Sequence, residues 1–249
     1  MNLAIFDIDG TLADTSFVDH ECFEQTLFDR FGIRHFPSDG NHFIHYTDPA
    51  ILSQIYEERF GSTLARAELE RVKFHYLAVL RATAKIWPQL FTEISGASSA
   101  LSYLRTMEHW KIAIGTGSWS DSARLKLESA KIAFRDLPLA TADDGVTREE
   151  IMGAAVRRAC ELYGIDEFNR IVIVGDGLWD RRTAEKMNFS FVGIATGARA
   201  ALLRKYCAMH ILPDLRDCKW LLEALESQHI TKDEAPKVFF EELLAKEMQ

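Results

Sequence analysis

Four short, unbroken apolar runs punctuate this 249-residue chain: Leu3 to Phe6, Ile112 to Gly115, Ile171 to Gly175 and Phe191 to Ala195. An alternating run marks a strand with one wet face, whereas a continuous run suits a strand buried on both faces. The stretch from Asp136 to Ala142 is a weaker candidate for a fifth strand. Between the runs lie segments with apolar residues at helical spacing, over 97–110, 121–132, 148–164 and 179–187. Strand and helix in alternation specify the α/β class, a Rossmann-like doubly wound parallel sheet.

One region breaks that rhythm. Residues 16–90 carry apolar residues three and four apart and no good strand, and Thr47-Asp48-Pro49 reads as a helix start with proline in the first turn. Some 75 helical residues are too many for a single crossover, so an inserted all-helical subdomain is expected. The organisation that follows is a core of 1–15 and 91–222, a helical insert of 16–90 and a C-terminal helical extension of 223–249. The extension ends in an amphipathic pattern over 233–249, which suits either packing or a homodimer contact.

Composition bounds the function. The hydrophobic fraction of 47% supplies a large core, and a formal net charge of −8 argues against a nucleic-acid surface or an anionic-membrane surface. No stretch reaches the roughly 18 apolar residues of a membrane helix, and Met1 leads straight into a strand-like run rather than a basic, apolar leader. Cys22, Cys160, Cys207 and Cys218 are scattered with no CxxC spacing, which fits reduced cysteines and a cytoplasmic protein.

The chemistry is concentrated where the apolar runs stop. Asp7 and Asp9 follow Phe6 directly, and Asp176 and Asp180 follow the run ending at Gly175. An unpaired buried carboxylate is costly and two adjacent ones repel. In open α/β sheets, however, the carboxyl ends of the strands form the ligand-binding edge. A divalent cation such as Mg²⁺, which prefers oxygen ligands, would make the cluster tolerable. A carboxylate there can also act as a nucleophile, with a second one handling protons. The alternative for Asp7 and Asp9 is a turn or helix cap, but acids from two separate strands at one sheet edge suit a metal site better.

Taken together, DIDGTLADT, IAIGTG and VGDGLWD resemble three motifs of the haloacid dehalogenase-like superfamily, in the family's order. The branch they resemble contains phosphoglycolate phosphatase and β-phosphoglucomutase, with a helical cap inserted between the first two motifs. The resemblance implies that Asp7 attacks phosphorus, while Asp9 protonates the leaving alkoxide and then activates water. It implies Mg²⁺ held by Asp7, the Asp9 backbone carbonyl and Asp176, with Asp180 holding a metal-bound water or orienting the site. Thr116 and the amides around Gly117 would bind the phosphoryl oxygens, and Ser118 and Ser120 read as ordinary loop or cap hydroxyls.

The family's third motif departs from its pattern: ADDGVTREEI lacks the usual lysine. Arg148 holds the expected place at a helix start, and Lys126 lies on the helix after Thr116. Either could be the catalytic and phosphate-binding cation, with a slight preference for Arg148 because a helix N-terminus favours anions. The stretch from Ser38 to Asp48, with Asn41, His42, His45, Tyr46 and Thr47, could face the site or form a surface turn. Trp119 and Trp179 flank two motifs and could stack on substrate or simply pack. Arg181 and Arg182 read as a solvated face.

The second acid, Asp9, distinguishes among activities of the superfamily. Dehalogenases lack it because halide leaves without a proton, so the resemblance implies a phosphoric monoester hydrolase acting on a small phosphorylated metabolite through an aspartyl-phosphate on Asp7. A phosphomutase using the same acids is one alternative, and a binding module that has lost turnover is another.

Overall fold

The computed structural model describes residues 1–37 and 42–227. The chain starts with β1 (Asn2–Phe6) and β2 (Ala13–Asp14), then runs through α1 (Ser16–Phe31), α2 (Asp48–Phe60) and α3 (Arg66–Ile86). After a short turn of helix at Pro88–Leu90 come β3 (Thr92–Glu93), α4 (Ala97–Arg105), β4 (Trp110–Gly115), α5 (Ser120–Ser129) and β5 (Leu139–Ala140). The remainder is α6 (Arg148–Tyr163), β6 (Arg170–Gly175), α7 (Leu178–Lys186), β7 (Ser190–Ile194), α8 (Gly197–Lys205), β8 (His210–Leu212) and α9 (Cys218–Glu226).

Six strands form one parallel sheet in the order β5-β4-β1-β6-β7-β8. The four apolar runs are its four inner strands, as their unbroken hydrophobicity requires. Along β1 the pleat sends Ala4 and Phe6 to one face and Leu3 and Ile5 to the other, and all four are fully buried. The first face packs with Ile112, Ile114, Val172 and Val174 under α4, α5 and α9. The second packs with Ala113 and Ile173 under α6, and its core continues into α1, α2 and α3.

Local signals explain the helix ends. Thr147 caps α6 by accepting a hydrogen bond from the Glu150 amide, and the Glu150 carboxylate accepts from the Thr147 amide in return. Thr47 precedes α2 with Pro49 in its first turn, as the sequence predicts.

Several expectations need correction. The helix expected over 97–110 stops at Arg105, because Trp110 is drawn into β4, where it is buried opposite Asn2. A sixth parallel strand, β8, was not expected; three residues at a sheet edge are too few for a recognisable run. Nor was the two-residue antiparallel pair β2–β3 on either side of the helical region, with Asp14 opposite Thr92. The amphipathic tail over 233–249 lies outside the described residues. Among the described residues, no helix is long and apolar enough to cross a membrane.

Candidate active site

Register brings the acids together. Phe6 pairs with Ile114 on one side and Val174 on the other, so Asp7, Thr116 and Asp176 leave three adjacent strands at the same edge. The chain turns sharply after Asp9. Gly10 has φ +72°, and a Cβ there would overlap the Asp176 carboxylate and crowd Ser16 Oγ, so the position needs glycine twice over.

Asp7, Asp176 and Asp180 are all buried, and one carboxylate oxygen from each lies within 4.8 Å of the others. Asp7 Oδ1 and Asp176 Oδ1 are buried without a hydrogen-bond partner. Burial pushes the Asp7 carboxyl up to about 7, reinforced by the Asp180 charge and opposed by Arg148. Burial likewise holds Asp176 well above the usual carboxylate range, against the pull of Arg199. Asp180 is raised for the same reason despite Arg148. Orphaned carboxylate oxygens, mutual repulsion and an all-oxygen donor set together fit a hard divalent cation.

Both candidate cations of the third motif reach this edge, on different acids. The Arg148 guanidinium bonds Asp180 and lies 3.4 Å from Asp7 Oδ1. The Lys126 ammonium, fully buried, donates to Asp9 Oδ2 at 2.5 Å, to Asp19 Oδ1 at 2.7 Å and to Ser118 Oγ at 2.8 Å. Asp9 also accepts from Thr15 Oγ1 at 2.6 Å and Ser118 Oγ at 3.2 Å. Its carboxylate thus bonds a different set of groups from those of the three-acid cluster. Thr116 is buried, and its hydroxyl accepts from the Ser118 amide.

Ser118 therefore departs from the expectation of an ordinary loop hydroxyl, since it bridges Asp9 and Lys126. Ser120 opens α5 and its amide donates to Asp143. Trp119 is buried against Phe23 and Tyr76. Trp179 stacks on Tyr46 with ring centroids 4.2 Å apart. Of the 38–48 stretch, Phe43, Tyr46, Thr47 and Asp48 line the site, His42 pairs with Glu58, and 38–41, with Asn41, lie outside the described residues. Arg181 pairs with Glu185 on its own helix and Arg182 lies over the Tyr206 ring, both half-buried.

Three further residues reach the site with no signal in the sequence. Asp19 on α1 holds Lys126 and accepts from Tyr76 Oη at 2.5 Å. Asp48, legible only as a helix start, accepts from the Trp119 amide at 2.9 Å, and burial together with the Asp19 charge pushes its carboxyl up to about 8. Arg199 on α8 bonds Asp176. Each is carried in by an element distant in sequence, and no local motif marks it.

These groups open into a cavity of about 690 Å³, bounded on one side by Asp7, Asp9, Thr116 and Arg148 and on the other by residues of α1, α2 and the segment joining them. That volume is ample for a small-molecule ligand.

Residues 1–188 match a family profile described as haloacid dehalogenase-like hydrolase. No curated protein matches the chain significantly. Among solved structures it resembles a hydrolase from Pseudomonas syringae at 20% identity and a TM-score of 0.72, covering 91% of this chain and 100% of that one. It also resembles CbbY from Rhodobacter sphaeroides in complex with phosphate, at 16% identity and a TM-score of 0.64 over 90% and 99% of the two chains. A phosphonoacetaldehyde hydrolase like protein from Oleispira antarctica shares 13% identity, with a TM-score of 0.64 over 90% and 92%.

Proposed function

The chain belongs to the haloacid dehalogenase-like hydrolase family, and from that premise we propose that it is a Mg²⁺-dependent phosphatase of a small phosphorylated metabolite. The observation that carries this reading is the difference in surroundings between two neighbouring acids. Asp7 belongs to the buried acidic cluster, whereas Asp9 is held by a separate set of partners, Thr15, Ser118 and Lys126. A nucleophile and a separate proton carrier need such different surroundings.

In this reading Asp7 Oδ attacks phosphorus and forms an aspartyl-phosphate. Asp9 gives its proton to the departing alkoxide, then takes one from the water that hydrolyses the acyl phosphate. Thr116 and the amides around Gly117 hold the phosphoryl oxygens, and Arg148 adds positive charge beside Asp7. Mg²⁺ would be held by Asp7, Asp176 and the Asp9 backbone carbonyl with Asp180 close by, and it supplies positive charge that keeps Asp7 ionised and offsets the phosphoryl charge. The helices of 16–90 act as a cap that excludes water and reads the leaving group. The likeness to CbbY with bound phosphate supports the same class of ligand.

The test is phosphate release from a panel of phosphorylated metabolites with and without Mg²⁺, beside Asp7→Asn. Turnover that needs Mg²⁺ and disappears in the variant supports the reading. Release that persists in Asp7→Asn overturns it.

A further inference from the structure

Rings make up much of the cavity lining. Phe17 on α1 lines the cavity and is 70% exposed. His20, Phe36, Phe43, Tyr46 and Trp179 continue the wall as a chain of ring contacts. His20 and Phe36 are 4.7 Å apart, Phe36 and Phe43 6.0 Å, Phe43 and Tyr46 5.7 Å, and Tyr46 and Trp179 4.2 Å.

The polar groups on this side are largely committed to the protein. Asp19 holds Lys126 and Tyr76, His20 pairs with Glu24 at 3.5 Å, Thr47 donates to the Val146 carbonyl at 2.9 Å, and Asp48 accepts from the Trp119 amide. Among the described lining residues, α1, α2 and the segment joining them contribute no lysine, arginine, asparagine or glutamine. A polyhydroxylated leaving group needs several free donors and acceptors at its hydroxyls, and leaving them unmatched in a closed site costs affinity. A flat apolar ring needs none and gains from edge and face contacts with other rings.

We infer that the preferred substrate is a phosphate monoester whose leaving alcohol carries an aromatic ring, bound against the wall from Phe17 to Trp179. The inference rests on the phosphatase reading for its reaction but not for its binding. It disfavours glycolate and simple sugars as leaving groups and selects ring-bearing alcohols.

Three synthetic esters with alkyl alcohols test this without a difference in leaving-group chemistry: ethyl, hexyl and 2-phenylethyl phosphate. The expected result is a kcat/KM for 2-phenylethyl phosphate roughly 10- to 100-fold above ethyl phosphate, the gain from burying one phenyl ring. Hexyl phosphate falls clearly below the phenyl ester, and Phe17→Ala narrows the phenyl-to-ethyl ratio several-fold. Equal rates for the phenyl and ethyl esters overturn the inference, as does a hexyl ester that matches the phenyl ester, which would mark a merely apolar site. If none of the three releases phosphate, the phosphatase reading fails on its own account. Binding of the same esters to Asp7→Asn, followed by calorimetry, then decides the inference: tighter binding of the phenyl ester upholds it, and equal binding overturns it.

Discussion

Lys126 Nζ on α5 lies 2.7 Å from Asp19 Oδ1 on α1, across 107 residues of sequence, and the same ammonium reaches Asp9 Oδ2 at 2.5 Å. One buried cation thus ties the helical region to Asp9. With its bond to Ser118, all three of its protons are used, which is the condition under which a buried ammonium is tolerated. Its own basicity is raised, because the surrounding acids outweigh the cost of burial.

Removing that charge strands its partners. Lys126→Met leaves Asp9 and Asp19 facing each other without compensation and is expected to cost about 3–5 kcal/mol of stability. Adding Asp19→Asn to the same chain removes one stranded acid and should recover part of the loss, with a coupling of about 0.5–3 kcal/mol. Urea unfolding of the two single variants and the double variant measures it. Strict additivity would mean that the pair does not interact.

Arg148 does different work. Its guanidinium meets Asp180 and approaches Asp7, two acids that one ammonium cannot span in the same way. Arg148→Ala is expected to lower kcat by about 10²- to 10³-fold, the usual cost of losing a positioned donor at the reacting group. Arg148→Lys should recover little of it. Steady-state phosphate release checks both, and near-complete rescue by lysine would make Arg148 a point charge only.

These two cations show what the sequence could and could not tell. The inner strands were legible because residues buried on both faces must be apolar throughout, as Leu3 to Phe6 are. Asp7, Thr116 and Asp176 were legible because each stands immediately beyond such a run. Which cation serves which acid was not, since Lys126 and Arg148 sit on separate helices and only packing fixes their reach. Asp19, Asp48 and Arg199 are ordinary helical residues in sequence and become part of the site through tertiary contact. Ser118 gained its role in the same way, by lying between Asp9 and Lys126.

The loop that leads into Arg148 is held by Asp144, which accepts from both terminal nitrogens of Arg158 and from the Thr141 amide. Burial works to raise the Asp144 carboxyl, but the Arg158 and Thr141 hydrogen bonds outweigh it and hold the group below its ordinary value. A folded-state value below the unfolded one stabilises the fold above the unfolded pKa near 3.9, and the benefit fades as pH falls through the folded value. Asp144→Asn should therefore cost about 0.5–1 kcal/mol at pH 7, a modest figure because Arg158 is half exposed. The gap between the two proteins should narrow as pH falls below the unfolded pKa near 3.9 in urea titrations. A gap that is constant with pH would assign the loss to packing.

The acidic cluster makes the sharpest prediction, because its sign reverses with metal. Without a cation, Asp7, Asp176 and Asp180 repel one another in a buried setting, and Asp7 Oδ1 and Asp176 Oδ1 have no hydrogen-bond partner. Asp176→Asn removes one negative charge while keeping shape, so in chelator its Tm should equal or exceed that of the unsubstituted protein. With Mg²⁺ at a hundred times its Kd, the unsubstituted protein gains about 2.7 kcal/mol by mass action. For a chain of this length that corresponds to a Tm rise of roughly 5–10 °C. Asp176→Asn should lose most of the rise and so change from the more stable protein to the less stable one. Thermal unfolding of both proteins, in chelator and in Mg²⁺, gives the four values needed. If Asp176→Asn is much less stable even in chelator, Asp176 serves the fold through its Arg199 bond rather than the metal.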